Sequence, residues 1–77
     1  MAVGFVLITT EPGCEVKVRK EVSKVGCVVG QWIVFGMHDL FVKVEAEDES
    51  EMTRAIVKDI RSIEGICETR TLIGAEI

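Results

Sequence analysis

One cluster in the middle of this 77-residue chain has residue types suited to holding a small ligand: Gly36-Met37-His38-Asp39. Gly36 admits positive φ and can leave loop amides open to a carboxylate, and Asp39 can accept from loop N–H groups or from an ammonium group. The same four residues also make an ordinary hairpin connection, the reading their types alone favour. His38 is the only histidine. General acid–base catalysis would need an orienting carboxylate and a nucleophile beside it, and Asp39, next in sequence, would point the other way on a strand. A surface turn histidine is the simpler account. Near the C-terminus, Thr69-Arg70-Thr71 sets two hydroxyls at i, i+2 on one face of a strand. They could bond a small polar ligand, or be β-branched residues suited to a sheet.

The remaining reactive residues point to little chemistry. Cys14, Cys27 and Cys67 are widely spaced, odd in number and without a CxxC pair, which fits a reduced cytoplasmic chain better than a disulfide scaffold. A Cys/His metal site would have to gather them with His38 from four elements without local ligand spacing, so no metal or other cofactor is expected. Cys14 lies near a helix start, where the dipole can lower a thiol pKa, but no base or resolving cysteine accompanies it. No glycine-rich phosphate loop or carboxylate pair stands out. A net charge of −4 makes the chain a poor direct binder of nucleic acid, which is held largely by Lys and Arg neutralising phosphates. The basic residues Lys17, Arg19, Lys20 and Lys24 alternate with Glu15 and Glu21, as on a solvated helix face. Residues 1–10 are apolar but lack a basic leader and fall well short of the roughly 20 residues that cross a bilayer, so no membrane role is expected.

These residues must be positioned by a single small domain. Ala2 to Thr10 reads as a strand ended by Glu11-Pro12-Gly13. Cys14 to Val25 reads as an amphipathic helix with Val18, Val22 and Val25 on one stripe, ended by Gly26. Cys27 to Phe35 is a second strand and Leu40 to Ala46 a third, with Leu40, Val42, Val44 and Ala46 facing one way and Phe41, Lys43 and Glu45 the other. Asp48 and Glu51 are spaced as a capping box for a second helix running to about Ile63 on Met52, Ile56, Ile60 and Ile63, with Gly65 beyond its end. Ile66 to Ile73 closes the chain. The order is βαββαβ, a ferredoxin-like α+β fold of four antiparallel strands with two helices on one face.

That arrangement leaves one sheet face uncovered. Strand one is apolar on both sides, with Val3, Phe5 and Leu7 opposed to Val6 and Ile8. Strand two is read similarly, with Trp32 and Val34 opposed to Val29, Ile33 and Phe35. Four such strands present roughly 380 Å² in projection, near the largest apolar patch a monomer tolerates. A second copy, packed sheet on sheet, is therefore expected. Lys43, Glu45, Glu68 and Arg70 make that contact polar in part, and the alternative is a monomer with Trp32 as a surface aromatic.

The βαββαβ order, the Gly36-x-x-Asp39-Leu40 step into Leu40-Phe41-Val42-Lys43-Val44, and the ending Glu64-Gly65-Ile66-x-x-Thr69-x-Thr71-Leu72-Ile73 together resemble the effector-binding (RAM, regulation of amino-acid metabolism) domain of Lrp/AsnC, or feast/famine, transcriptional regulators. The likeness covers essentially the whole chain. It implies a dimeric α+β barrel, higher rings such as a tetramer of dimers, and a small amino-acid effector bound between dimers. Carried over position by position, the ligand-binding residues are Gly36, Met37, His38, Asp39, Thr69 and Thr71. His38 departs from the aromatic residue common in the family before the aspartate. The chain, read as residues 1–77 of a stand-alone RAM-like domain without a helix-turn-helix, would act on transcription indirectly, through mixed assembly with full-length Lrp/AsnC relatives. Two rivals share the architecture: a small enzyme of the dimeric α+β barrel type, with a closed pocket holding convergent His, Asp or Arg, and a purely structural assembly subunit.

Overall fold

The computed structural model describes residues 2–73. Strand β1 (Ala2–Thr10) leads to helix α1 (Glu15–Ser23), then β2 (Val28–Ile33), β3 (Leu40–Ala46), helix α2 (Glu49–Ala55), a π-helical turn (Ile56–Ile60) and β4 (Ile66–Ile73). The sheet order is β2-β3-β1-β4, with every neighbouring pair antiparallel. The ferredoxin-like reading therefore holds, and β1, β3 and β4 have the expected bounds.

Both helices cover the same face. Val18 and Val22 of α1 join Met52 of α2 and Ile56 and Ile60 of the π turn in one buried cluster with Val6, Ile8, Leu40, Val42 and Val44 of the sheet. Along β1 the burial alternates residue by residue, with Gly4, Val6, Ile8 and Thr10 buried and their neighbours only partly so. Gly4 allows a close approach: a Cβ there would lie 3.0 Å from the Met52 sulfur and 3.1 Å from the Leu72 carbonyl oxygen, so both would have to give way slightly.

Several elements depart from expectation, each for a local reason. Helix α1 is shorter at both ends, with Cys14 and Lys24 as caps; its end is closed by Lys24 N–H donating to Glu21 O and Val25 N–H to Val22 O, each at 3.1 Å, not by a left-handed Gly26. Strand β2 stops at Ile33, and a register shift between Val28 and Gly30 breaks its alternation. Trp32, opposite Phe41, is thus on the open face, while Phe35 stands outside the strand and 97% exposed. Half of the capping box forms: Asp48 Oδ1 accepts from Glu51 N–H at 2.8 Å, and among the described residues no bond returns from the Glu51 carboxylate.

The second helix does not continue as α to Ile63. Its apolar residues Met52, Ile56 and Ile60 recur every four positions, and in a 3.6-residue turn each step of four drifts about 40° around the axis. The wider π turn, closed by Arg61 N–H to Ile56 O at 2.9 Å, slows that drift and keeps Ile60 fully buried on the sheet. Gly65 then takes φ +102 in the turn before β4, packed so closely on α1 that a Cβ would meet Cys14 Cβ at 3.0 Å.

Candidate functional site

The loop between β2 and β3 is tied to the end of β1 by two successive side chains that diverge to opposite faces. Asp39 Oδ2 accepts from Thr10 N–H at 2.8 Å and from Thr10 Oγ1 at 3.3 Å, and the Asp39 N–H donates to Ile8 O at 2.8 Å. Thr10 is buried on the helix side. His38 Nδ1 lies 3.2 Å from Thr9 Oγ1, which itself donates to Met37 O at 3.2 Å, on the open side of the sheet. A hydroxyl has one hydrogen. With that hydrogen on Met37 O, the Thr9 hydroxyl accepts in its contact with His38 Nδ1.

Gly36, at φ +118, opens the loop outward, and Met37 is 86% exposed. Among the described residues the amides of Gly36, Met37 and His38 donate no hydrogen bond. Such a run of open N–H groups is a place where an acceptor can bind. Gly36, Met37, His38 and Asp39 therefore lie together at one end of the sheet.

Thr69 and Thr71 lie on the other side of β1. They pair with Ile8 and Val6, so both face the helices. Thr69 Oγ1 accepts from Arg61 Nε at 3.0 Å, and Thr71 Oγ1 is buried with no partner among the described residues. Because Asp39 and Thr69 flank β1 from opposite sides, about two strand spacings (roughly 10 Å) separate them, and Thr71 lies two residues farther along. One protomer thus gathers the loop residues but keeps the threonines apart from them. Thr9, Thr10 and Arg61, which hold these residues in place, were read from the sequence only as strand and helix positions. A Thr-Thr pair at a strand end, one residue for each face, is the signal that marks them in retrospect.

A concavity opens on the helix side of the loop, between α1 and the start of β3. Asp39 lines it with Glu15, Arg19, Ile33 and Phe35 among others, and its volume is about 220 Å³. It is open to solvent, and His38 is not among its lining residues. Among the described residues no cluster of His, Cys, Asp and Glu is arranged to hold a metal ion. All three cysteines are free thiols. Burial pushes the Cys27 thiol pKa up; the Asp59 and Glu51 carboxylates push the same way, against a backbone hydrogen bond that lowers it. No helix among the described residues is long and apolar enough to cross a membrane.

A four-stranded sheet with helices on one side and an anchored loop at its end defines an α+β module of the ferredoxin-like type. Its sequence matches the family described as the Lrp/AsnC ligand binding domain over residues 3–76, and the chain belongs to that family. It is 37% identical over 71 residues to an uncharacterized HTH-type transcriptional regulator of Pyrococcus abyssi (strain GE5 / Orsay), covering 92% of this chain and 45% of that one. A Pyrococcus horikoshii regulator of the same description is 35% identical over the same span and is likewise covered to 45%. The chain therefore spans about half the length of these curated relatives. Among solved structures, FFRP-DM1 superposes with a TM-score of 0.92 at 31% identity, covering 97% of this chain and 100% of that one. AsnC of E. coli, at 18% identity, shares the fold with a TM-score of 0.91 over 99% of this chain and 52% of its own.

Proposed function

We propose that this chain is a cytoplasmic, homo-oligomeric effector-binding module that acts indirectly in the transcriptional regulation of amino-acid metabolism, with an amino acid as its effector. The observation that carries the reading is the Gly36–Asp39 loop, anchored to β1 by Thr9 and Thr10 while three of its amides stay open. Anchoring without saturation suits ligand capture, because the loop is held in place before the ligand arrives and little ordering remains to oppose binding. The open sheet face supports the oligomeric part. Trp32 packs edge-on to Phe41 at 5.9 Å and Phe41 to Phe5 at 5.1 Å, an aromatic row across three strands that the helices do not cover.

In this reading two copies meet sheet to sheet, dimers gather into a ring, and Thr69 and Thr71 take part in effector binding where dimers adjoin. Effector shifts assembly by binding one oligomeric state more tightly than another. Mixed assembly with full-length Lrp/AsnC relatives would carry the signal to DNA. A thermal-shift screen of the twenty amino acids, run beside light-scattering mass, tests the proposal. At least one amino acid should raise the melting temperature or change the mass; a flat response at millimolar concentration would sink it.

A further inference from the structure

We propose that Arg61 sets the side-chain selectivity of the effector site and selects an effector with a carboxylate in its side chain. This rests on the effector-binding reading above, in which Thr69 joins the site where dimers adjoin, and adds a residue and a selectivity that the reading lacks.

Arg61 is fixed at both ends. Its backbone N–H closes the π turn by donating to Ile56 O at 2.9 Å. Closure five residues back, not four, sets Arg61 back by one residue's rotation, roughly 100°, from its place in a continued α-helix. Its side chain reaches β4, where Nε donates to Thr69 Oγ1 at 3.0 Å. The turn that keeps Ile60 in the core therefore also brings a guanidinium onto the last strand.

That bond settles what the pair offers a ligand. Thr69 Oγ1 accepts from Arg61, and among the described residues its own hydrogen has no acceptor. The guanidinium keeps both terminal nitrogens, and among the described residues no carboxylate lies within ion-pair distance of it. These groups are all donors, so an acceptor-only anion matches them, and a carboxylate meets the guanidinium fork in a bidentate pair. The two residues border a concavity of about 400 Å³, within the ~300–1,000 Å³ typical of small-molecule sites. Apart from Ile66 and Cys67 its lining is polar or charged, which leaves little for an apolar side chain to bury against. Glu68 also borders it and opposes an anion, but Glu68 pairs with Thr9 and Thr69 with Ile8, so the two project to opposite faces of β4. The open amides of the Gly36–Asp39 loop suit the effector's α-carboxylate, and Arg61 is left to its side chain.

Isothermal titration with L-aspartate, L-glutamate, L-asparagine and L-glutamine, beside a panel of the other amino acids, tests the assignment. Wild type should bind an acidic amino acid roughly tenfold or more tightly than its amide, the size of a charged hydrogen-bonding pair. Arg61→Gln should bring that ratio close to one by weakening the acid and leaving the amide nearly unchanged. Arg61→Lys should recover part of the ratio, because the charge returns without the fork. Thr69→Val, which removes the anchor and keeps the cation, should lower the ratio less than Arg61→Gln does. A merely structural role for Arg61 would weaken acid and amide alike and keep their ratio. Equal wild-type affinity for acid and amide, binding led by apolar or basic amino acids, or a ratio that survives Arg61→Gln would overturn the assignment and leave the effector reading standing. No binding of any amino acid by wild type would overturn both.

Discussion

The two faces of β1 are built from much the same residue types and meet different fates. Val6 and Ile8 are fully buried under the helices, while Phe5 and Leu7, equally apolar, stay partly exposed on the other side. Coverage makes the difference, since α1 and α2 both pack on one side. The loop repeats the division: Asp39 holds the buried Thr10 on the helix side, and His38 holds Thr9 on the open side. The helix face therefore holds the core of the protomer, and the open face carries an aromatic row and the Lys43–Glu45 pair at 3.8 Å.

The sharpest way to break this contrast is to truncate opposite sides of one strand. Ile8→Ala should cost about 2–5 kcal/mol in equilibrium denaturation, since it opens a cavity in the closed core. Phe5→Glu should instead act on assembly, lowering the light-scattering mass to that of a monomer and removing the concentration dependence of the melting temperature. An unchanged mass would mean that no second copy covers the open face.

The loop gives a finer version of the same test. Asp39→Ala orphans the buried Thr10 N–H and should cost about 1–3 kcal/mol in thermal melts, with Asp39→Asn recovering part of it. His38→Ala, on the side still reached by water, should cost less, about 0.5–1 kcal/mol. Equal losses would erase the distinction between the two faces. Asp48→Ala, which removes the α2 cap far from both, should cost about 1 kcal/mol and serves as a yardstick.

The smallest effect is a pH dependence on the helix side. Burial raises the Cys27 pKa, so the folded protein holds the thiol proton longer than the unfolded chain does. The stability this contributes is whole below the ordinary thiol pKa and is lost as pH rises through the raised folded value. Melting temperatures across the alkaline range should fall more steeply for wild type than for Cys27→Ala. Exposed Cys67 should be alkylated ahead of Cys27 at neutral pH; the reverse order would contradict the burial account.

Much of the fold was legible because short strands with strong alternation announce themselves. Leu40–Ala46 reads as a strand from period alone, and the Asp48 cap from its spacing to Glu51. The misread elements are those where tertiary packing overrode local signals. Ile56 and Ile60 sit where an α-helix would carry them off the sheet, and only contact with the core makes a π turn preferable. Phe35 has the residue type of a strand but lies past the point where the loop leaves the sheet. The Gly36–Asp39 loop was visible as a motif, and its anchors were not, because Thr9 and Thr10 look like any strand residues until β1 is laid beside the loop.

The sequence by itself determined which segments are strands and helices, that two helices would leave a sheet face bare, and which family the chain resembles; these depend on patterns within a few residues or on the order of elements. The tertiary structure alone decided that His38 and Asp39 divide between the two faces, that Thr69 and Thr71 are kept from the loop by the intervening β1, and that Glu15, Arg19 and Asp39 border one hollow. Those relations join residues far apart in the chain, and strand order, register and helix placement set them through contacts that no local pattern encodes.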